Sequence, residues 1–78
     1  MKRPALTRQQ RENMSFIESY FKEHERAPSQ AEIAQACNVR QGNVGKILAA
    51  LEKKNYVNLK YGEARGIELV VWKDEGDK

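Results

Sequence analysis

The amino-acid sequence predicts a mainly helical α+β domain, in which three helices precede a two-stranded antiparallel β-hairpin. Two capping-box patterns mark helix starts, and an amphipathic repeat fills the middle of the chain. From Tyr56 onward the hydrophobic period changes from helical to strand-like. The chain has 78 residues, enough for one small domain. We expect one folded unit over residues 1–72 and a polar tail over residues 73–78.

The first two helices are predicted from their start signals. After a short arm (residues 1–6), Thr7-Arg8-Gln9-Gln10 has the form of a capping box, and the helix is expected to reach about Glu25. Its apolar face holds Phe16, Ile17, Tyr20 and Phe21. Pro28 breaks this helix, and Ser29-Gln30-Ala31-Glu32 forms a second capping box. The short helix that follows is expected to end near Asn38.

The third helix is predicted over residues 40–54, approximately. Its apolar residues recur at i, i+3, i+4 and i+7: Val44, Ile47, Leu48 and Leu51. Two period-two segments follow. The first begins at Tyr56 and places Val57, Leu59 and Tyr61 on one face; the second places Ile67, Leu69 and Val71 on one face, and the turn between them is bracketed by glycines. Two helices joined by a short turn and followed by a hairpin constitute a winged helix-turn-helix.

The face of the third helix opposite its apolar stripe combines small and basic residues: Gly42, Lys46, Ala49 and Lys53. Small residues let a backbone approach closely, and the DNA major groove admits one α-helix. Three side chains of the types that pair with base edges lie at the N-terminal end of the third helix: Arg40, Gln41 and Asn43. This end of the helix most often contacts bases in the helix-turn-helix motif. The alternative is an ordinary solvated helix face.

Further candidate DNA contacts lie outside the third helix. Lys60 and Arg65 flank the tip of the wing, where they would reach the DNA backbone or a minor groove. Ser29 and Gln30 open the second helix, whose positive dipole end attracts phosphate. The complete set of candidate DNA-binding residues is Arg40, Gln41, Gly42, Asn43, Gly45, Lys46, Lys53, Ser29, Gln30, Lys60 and Arg65.

Composition narrows the possible functions. The net charge is +3, and two basic stretches (residues 1–11 and 26–61) enclose an acidic one, which favours a polyanionic partner. One cysteine and one histidine cannot form the usual zinc site, and no nucleophile with a plausible base, phosphate loop or cofactor motif is present. We therefore expect neither enzyme activity nor a cofactor. With no apolar run near the roughly 20 residues of a membrane span, we expect a cytoplasmic protein without a membrane partner.

Five stretches carry a resemblance to a known family: LTRQQRE (6–12), FIESYF (16–21), APSQAEIAQAC (27–37), VGKILAALEKKNYV (44–57) and RGIEL (65–69). Together they resemble the N-terminal winged-helix DNA-binding domain of the LexA repressor family. The resemblance implies a repressor that binds double-stranded operator DNA through its third helix. The segment that begins this helix departs most from the family pattern, so the operator sequence does not carry over.

The resemblance does not extend to a second domain. Family repressors continue into a C-terminal domain that dimerises and cleaves its own linker with a serine–lysine pair. This sequence stops at Lys78 and has no Ala-Gly dipeptide like the family's cleavage site. We therefore expect no self-cleavage in this chain, which is either a stand-alone regulator, as in phages or plasmids, or an excised domain.

Two other functions remain open from the sequence. Gly42-Asn43-Val44-Gly45 has the GxxG form of KH domains, which bind single-stranded nucleic acid, but the helical N-terminal region does not supply the strand that a KH sheet needs. A winged helix can also serve as a protein-binding adaptor or anti-repressor.

A second copy of the chain is a candidate partner under the DNA-binding function. One module with few cations binds DNA weakly, so two copies on the same DNA site are expected.

Overall fold

The computed structural model describes residues 4–60, 62–63 and 65–70 of the chain. The elements follow in the predicted order: α1 (Arg8–His24), α2 (Gln30–Cys37), α3 (Gln41–Lys53), β1 (Val57–Leu59) and β2 (Ile67–Leu69). The winged helix-turn-helix predicted from the sequence is confirmed. The expectations for Tyr61, for Val71, for the end of the folded unit at residue 72 and for the tail at residues 73–78 fall outside the described residues.

Both predicted capping boxes form. The Thr7 hydroxyl accepts a hydrogen bond from the amide of Gln10 at 3.2 Å, and the Gln10 side chain accepts one from the amide of Thr7 at 3.0 Å. In α2 the Ser29 hydroxyl and the Glu32 carboxylate make the same reciprocal pair, at 3.1 and 2.8 Å. Asn38 closes α2 in the left-handed conformation with φ of 57°, as the sequence predicts.

The hydrophobic core is centred on α3, which packs against α1, α2 and β1. All four residues of its apolar stripe are buried, and Val44 and Leu51 expose none of their surface. The remaining elements contribute Met14, Ile17, Ala27, Ile33, Val57 and Ile67. Helices α1 and α2 and strand β1 are therefore oriented by contact with α3, and β2 is placed by its pairing with β1.

Helix α1 buries a different set of residues from the one its apolar pattern suggests. Ile17 and Met14 are buried, whereas Phe16, Tyr20 and Phe21 are only half-buried. Asn13 is completely buried, although its sequence position gives no apolar signal. Its Nδ2 donates to the carbonyl of Gln9 at 2.8 Å, and its Oδ1 has no partner among the described residues.

The described part of the N-terminal arm is tied to the far end of α3. The Lys54 ammonium donates to the carbonyl of Ala5 at 2.9 Å, and the Tyr56 hydroxyl donates to the carbonyl of Pro4 at 2.9 Å. Leu6 packs against the core. The sequence predicts a short arm over residues 1–6, and these contacts show that residues 4–6 of the arm lie against the rest of the domain.

The wing is a short antiparallel hairpin with the register Val57↔Leu69, Asn58↔Glu68 and Leu59↔Ile67. The amide of Lys60 donates to the carbonyl of Gly66 at 2.7 Å and draws the two strands together beyond the ladder. A Cβ atom on Gly66 would collide with the carbonyl oxygen of Lys60, so only glycine fits this position.

Within the described residues, none of the helices combines the length and apolar character that crossing a membrane requires.

Leu51→Ala is expected to lower the free energy of unfolding by about 2–5 kcal/mol, because Leu51 is fully buried at the centre of the core. Urea denaturation followed by circular dichroism measures the change. Lys53→Ala, two residues along the same helix and exposed, serves as the control and is expected to change stability by less than about 0.5 kcal/mol. Equal effects of the two substitutions would contradict the assignment of buried and exposed faces.

Candidate nucleic-acid interface

The basic side chains on the outward face of α3 are exposed to solvent. Lys46, Lys53 and Arg40 are exposed, and no described residue forms an ion pair with any of them. The acid within α3, Glu52, is half-buried and accepts a hydrogen bond from the amide of Leu59 at 3.0 Å. The positive charge of this face is therefore not balanced from within the helix.

The N-terminus of α3 differs from those of α1 and α2, because its N-cap residue, Arg40, makes no side-chain capping hydrogen bond. The Arg40 carbonyl accepts from the amides of Asn43 and Val44, at 2.9 and 3.2 Å. Gln41 and Asn43 are exposed in this first turn. Three candidate base-reading side chains thus surround a helix end whose dipole favours a negatively charged ligand.

Gly42 and Gly45 are both open toward their surroundings. A Cβ atom built on either glycine would have no heavy atom within 4 Å beyond the helix itself. Close packing of Gly45 on α2 therefore does not explain why glycine occurs there. A glycine in a helix interior costs about 0.8–1.0 kcal/mol relative to alanine. This cost applies to Gly45, whereas Gly42 lies in the first turn of α3, and the packing of the described residues requires neither glycine.

On the wing, Lys60 is exposed but paired. Its ammonium lies 2.9 Å from the carboxylate of Glu68 across the hairpin, and both side chains are about half-exposed. The hydrogen bond with Glu68, followed by the charge of that carboxylate, raises the pKa of Lys60. Lys60 is therefore a fully charged group whose field is partly neutralised by its neighbour.

Arg65 lies against the helices rather than at a free wing tip. Its Nη1 donates to the carbonyl of Ala27 and to Oε1 of Glu32, both at 2.8 Å, and its Nη2 donates to Oε2 of Glu32 at 3.1 Å. The hydroxyl of Tyr20 donates to the same carboxylate at 3.2 Å. The sequence gives no signal for this cluster, because Arg65 and Glu32 are 33 residues apart.

The start of α2 lies beside the wing. Gln30 is exposed and lines a shallow cavity together with Leu48 of α3 and the wing residues Lys60, Gly62 and Glu63. Ser29 is half-buried, and its hydroxyl is occupied in the capping box. Of these two candidate residues, Gln30 has the side chain that is more open to a ligand.

A compact helix-turn-helix with a basic, uncapped third helix and an adjacent wing is the arrangement of a DNA-binding domain. The sequence model of the LexA DNA-binding domain matches residues 3–66, most of the chain. The chain belongs to the LexA DNA-binding domain family.

Individual LexA repressors show the same similarity. The chain is 32% identical over 72 residues to the LexA repressor of Glaesserella parasuis and 37% identical over 67 residues to that of Geobacter metallireducens. It is 30% identical over 66 residues to the LexA repressor of Gluconacetobacter diazotrophicus. These alignments cover 91%, 83% and 83% of this chain, respectively.

The match is to one part of those repressors. The aligned region makes up 34%, 33% and 26% of the three relatives, so the chain spans about a third of their length or less. The family that the chain matches is one of DNA-binding domains.

Gly45→Ala is expected to raise the free energy of unfolding by about 0.8–1.0 kcal/mol, since the added methyl group has open space and alanine favours helix. Urea denaturation measures the change. Gly66→Ala is the matched control and is expected to destabilise the fold, because its Cβ collides with the Lys60 carbonyl. A loss of stability in Gly45→Ala would show instead that Gly45 is needed for packing.

Glu32→Gln is expected to remove part of the acid sensitivity of folding. The hydrogen bond from Arg65, followed by the one from the amide of Ser29, lowers the pKa of Glu32 from 4.5 to about 2. Because the pKa of the folded state lies below that of the unfolded state, the stabilisation is complete above pH 4.5 and is lost as the pH falls toward 2. Thermal unfolding of both proteins across this window measures the difference, and parallel profiles would contradict the assignment.

Proposed function

We propose that this LexA-family domain is a sequence-specific regulator that binds double-stranded operator DNA and acts as a LexA-like repressor. The observation that supports this proposal most strongly is the outward face of α3. Its exposed cations have no partner among the described residues, and its two glycines have open space around them. Such a face suits insertion in the major groove better than it suits packing within the domain.

The first turn of α3 is proposed to read the base sequence. Arg40 offers the bidentate donor set that pairs with guanine, while Gln41 and Asn43 offer the amide groups that pair with adenine. Gly42 and Gly45 lower the profile of the helix between these side chains, so that its backbone can come close to the base edges. Lys46 follows one turn later and reaches a guanine edge or a phosphate.

Contacts to the DNA backbone are proposed at the margins of this helix. Four side chains would contact phosphates and fix the position of the domain along the DNA: Lys53 at the end of α3, Ser29 and Gln30 at the start of α2, and Lys60 on the wing. Such contacts position a protein on the duplex without reading its sequence. Gln30 and Lys60 line one cavity, so α2 and the wing would approach the same stretch of backbone.

Two copies on one site would supply the affinity that a single module lacks. A domain with a net charge of +3 makes few phosphate contacts, and affinity rises steeply with their number. Half-sites about one helical turn apart would place two recognition helices on the same face of the duplex. Repression would follow if such a site overlaps a promoter.

The deciding experiment has two stages. Selection from random double-stranded DNA first identifies a preferred sequence, and fluorescence anisotropy then measures affinity for it at several salt concentrations. We expect a defined consensus and an affinity that falls linearly on a log–log plot as salt rises. Binding without sequence preference, or no binding, would overturn the proposal and favour a protein-binding adaptor. Preference for single strands would favour the KH-like alternative.

Lys46→Glu is expected to abolish specific binding while leaving stability within about 0.5 kcal/mol of the wild type, because Lys46 is exposed and forms no ion pair with a described residue. Anisotropy titration measures binding, and circular dichroism confirms folding. Lys22→Glu makes the same charge change on the exposed surface of α1 and is expected to have a small effect that disappears at higher salt. Retained affinity in Lys46→Glu would show that α3 is not the reading helix.

A further inference from the structure

The described part of the wing is attached to the helices through β1 and through Ile67 of β2, which is buried in the core. Strand β1 packs on α3 and pairs with β2, and each strand contains three residues. Two-stranded hairpins of this size are marginally stable on their own. An additional contact between the wing and α2 would therefore stabilise the position of so short a hairpin.

Arg65, which lies two residues before the start of β2, makes such a contact. Its guanidinium binds the Glu32 carboxylate through two hydrogen bonds and also binds the carbonyl of Ala27, in the loop between α1 and α2. Its Cζ lies 5.8 Å from the centre of the Tyr20 ring. One side chain of the wing thus contacts α1, the loop and α2 simultaneously.

Glu32 connects this cluster to the N-terminus of α2. Its Oε1 accepts from Arg65 and also from the amide of Ser29, as half of the capping box. The carboxylate that orders the first turn of α2 therefore also holds the wing. Next to Arg65 in the chain, Gly66 allows the close approach of Lys60, whose amide donates to the Gly66 carbonyl at 2.7 Å.

We propose that Arg65 is a positioning residue, which with Glu32 locks the wing onto the N-terminal end of α2 so that both meet one DNA backbone as a unit. This inference rests on the proposed DNA-binding function and assigns Arg65 a role different from direct phosphate contact. Nη1 and Nη2 of Arg65 both donate to protein acceptors, so these two nitrogens are directed at the domain itself. Arg65 also neutralises an acid that would otherwise face the DNA.

The two roles predict opposite outcomes for two substitutions. Lysine can replace arginine in a phosphate contact but cannot reproduce a two-pronged carboxylate pair. Glutamine at position 32 preserves the capping bond to Ser29 and removes a negative charge, which by charge alone would strengthen DNA binding. If Arg65 positions the wing, both Arg65→Lys and Glu32→Gln weaken binding.

Anisotropy titration on the selected operator tests this for Arg65→Lys, Glu32→Gln and the double variant. We expect each single variant to bind about tenfold more weakly, the size typical of a lost charge-assisted contact, and the double variant to bind no more weakly than either. The slope of log affinity against log salt is expected to stay unchanged, whereas loss of one phosphate contact reduces it by about 0.9. Lys60→Gln, which removes a wing charge outside the cluster, is the control expected to reduce that slope.

Wild-type affinity in Arg65→Lys together with unchanged or tighter binding in Glu32→Gln would overturn the proposal.

Amide hydrogen exchange measures the attachment of the wing without DNA. The amides to follow are those of Lys60 and Val70, which donate to the carbonyls of Gly66 and Tyr56, respectively. We expect faster exchange in both single variants, and unchanged exchange would also overturn the proposal. If the wild type binds no preferred sequence, the proposed function fails, whereas the exchange result still decides whether Arg65 holds the wing.

Discussion

The buried face of α3 is the constraint on which the rest of the domain depends. Thirteen residues form this helix, and its apolar stripe provides the surface against which α1, α2 and β1 pack. The opposite face of the same helix is the proposed reading surface. Because the two faces alternate within each turn, the packing that builds the core also sets how far Lys46 and its neighbours project from the domain. In this small domain, the helix that forms the core and the helix that carries the proposed DNA-reading surface are therefore the same element, α3.

The features that the sequence predicts correctly are local ones. A capping box is contained in four consecutive residues, and the stripe that includes Val44 and Leu51 repeats with the period of the helix itself. These signals act before any tertiary contact forms, so helix boundaries and the buried face of α3 follow from the chain directly. The glycine-bracketed hairpin is similarly local, because Gly66 is dictated by the close approach of Lys60.

What the sequence does not predict arises from contacts between distant segments. From the sequence, Arg65 is a basic residue at the tip of the wing, as expected of a DNA contact. Its ion pair with Glu32 depends on the way the hairpin folds against α2. The burial of Asn13 and the anchoring of Pro4 and Ala5 depend in the same way on the final packing of α1 beside the end of α3. The candidate contacts on the outward face of α3 follow from the helical period, so the sequence identifies them as exposed, while their pairing with DNA bases remains a proposal.

The absence of a side-chain cap on α3 has a consequence for how such domains diversify. Arg40, Gln41 and Asn43 are exposed, and α3 begins without a side-chain capping bond from Arg40. Their identities are therefore only weakly constrained by folding. A lineage could exchange these side chains one at a time and acquire a new target sequence without passing through an intermediate that fails to fold. The buried face of α3 would stay the same, because the core depends on it, while substitutions on the exposed face would change the DNA sequence that the domain binds.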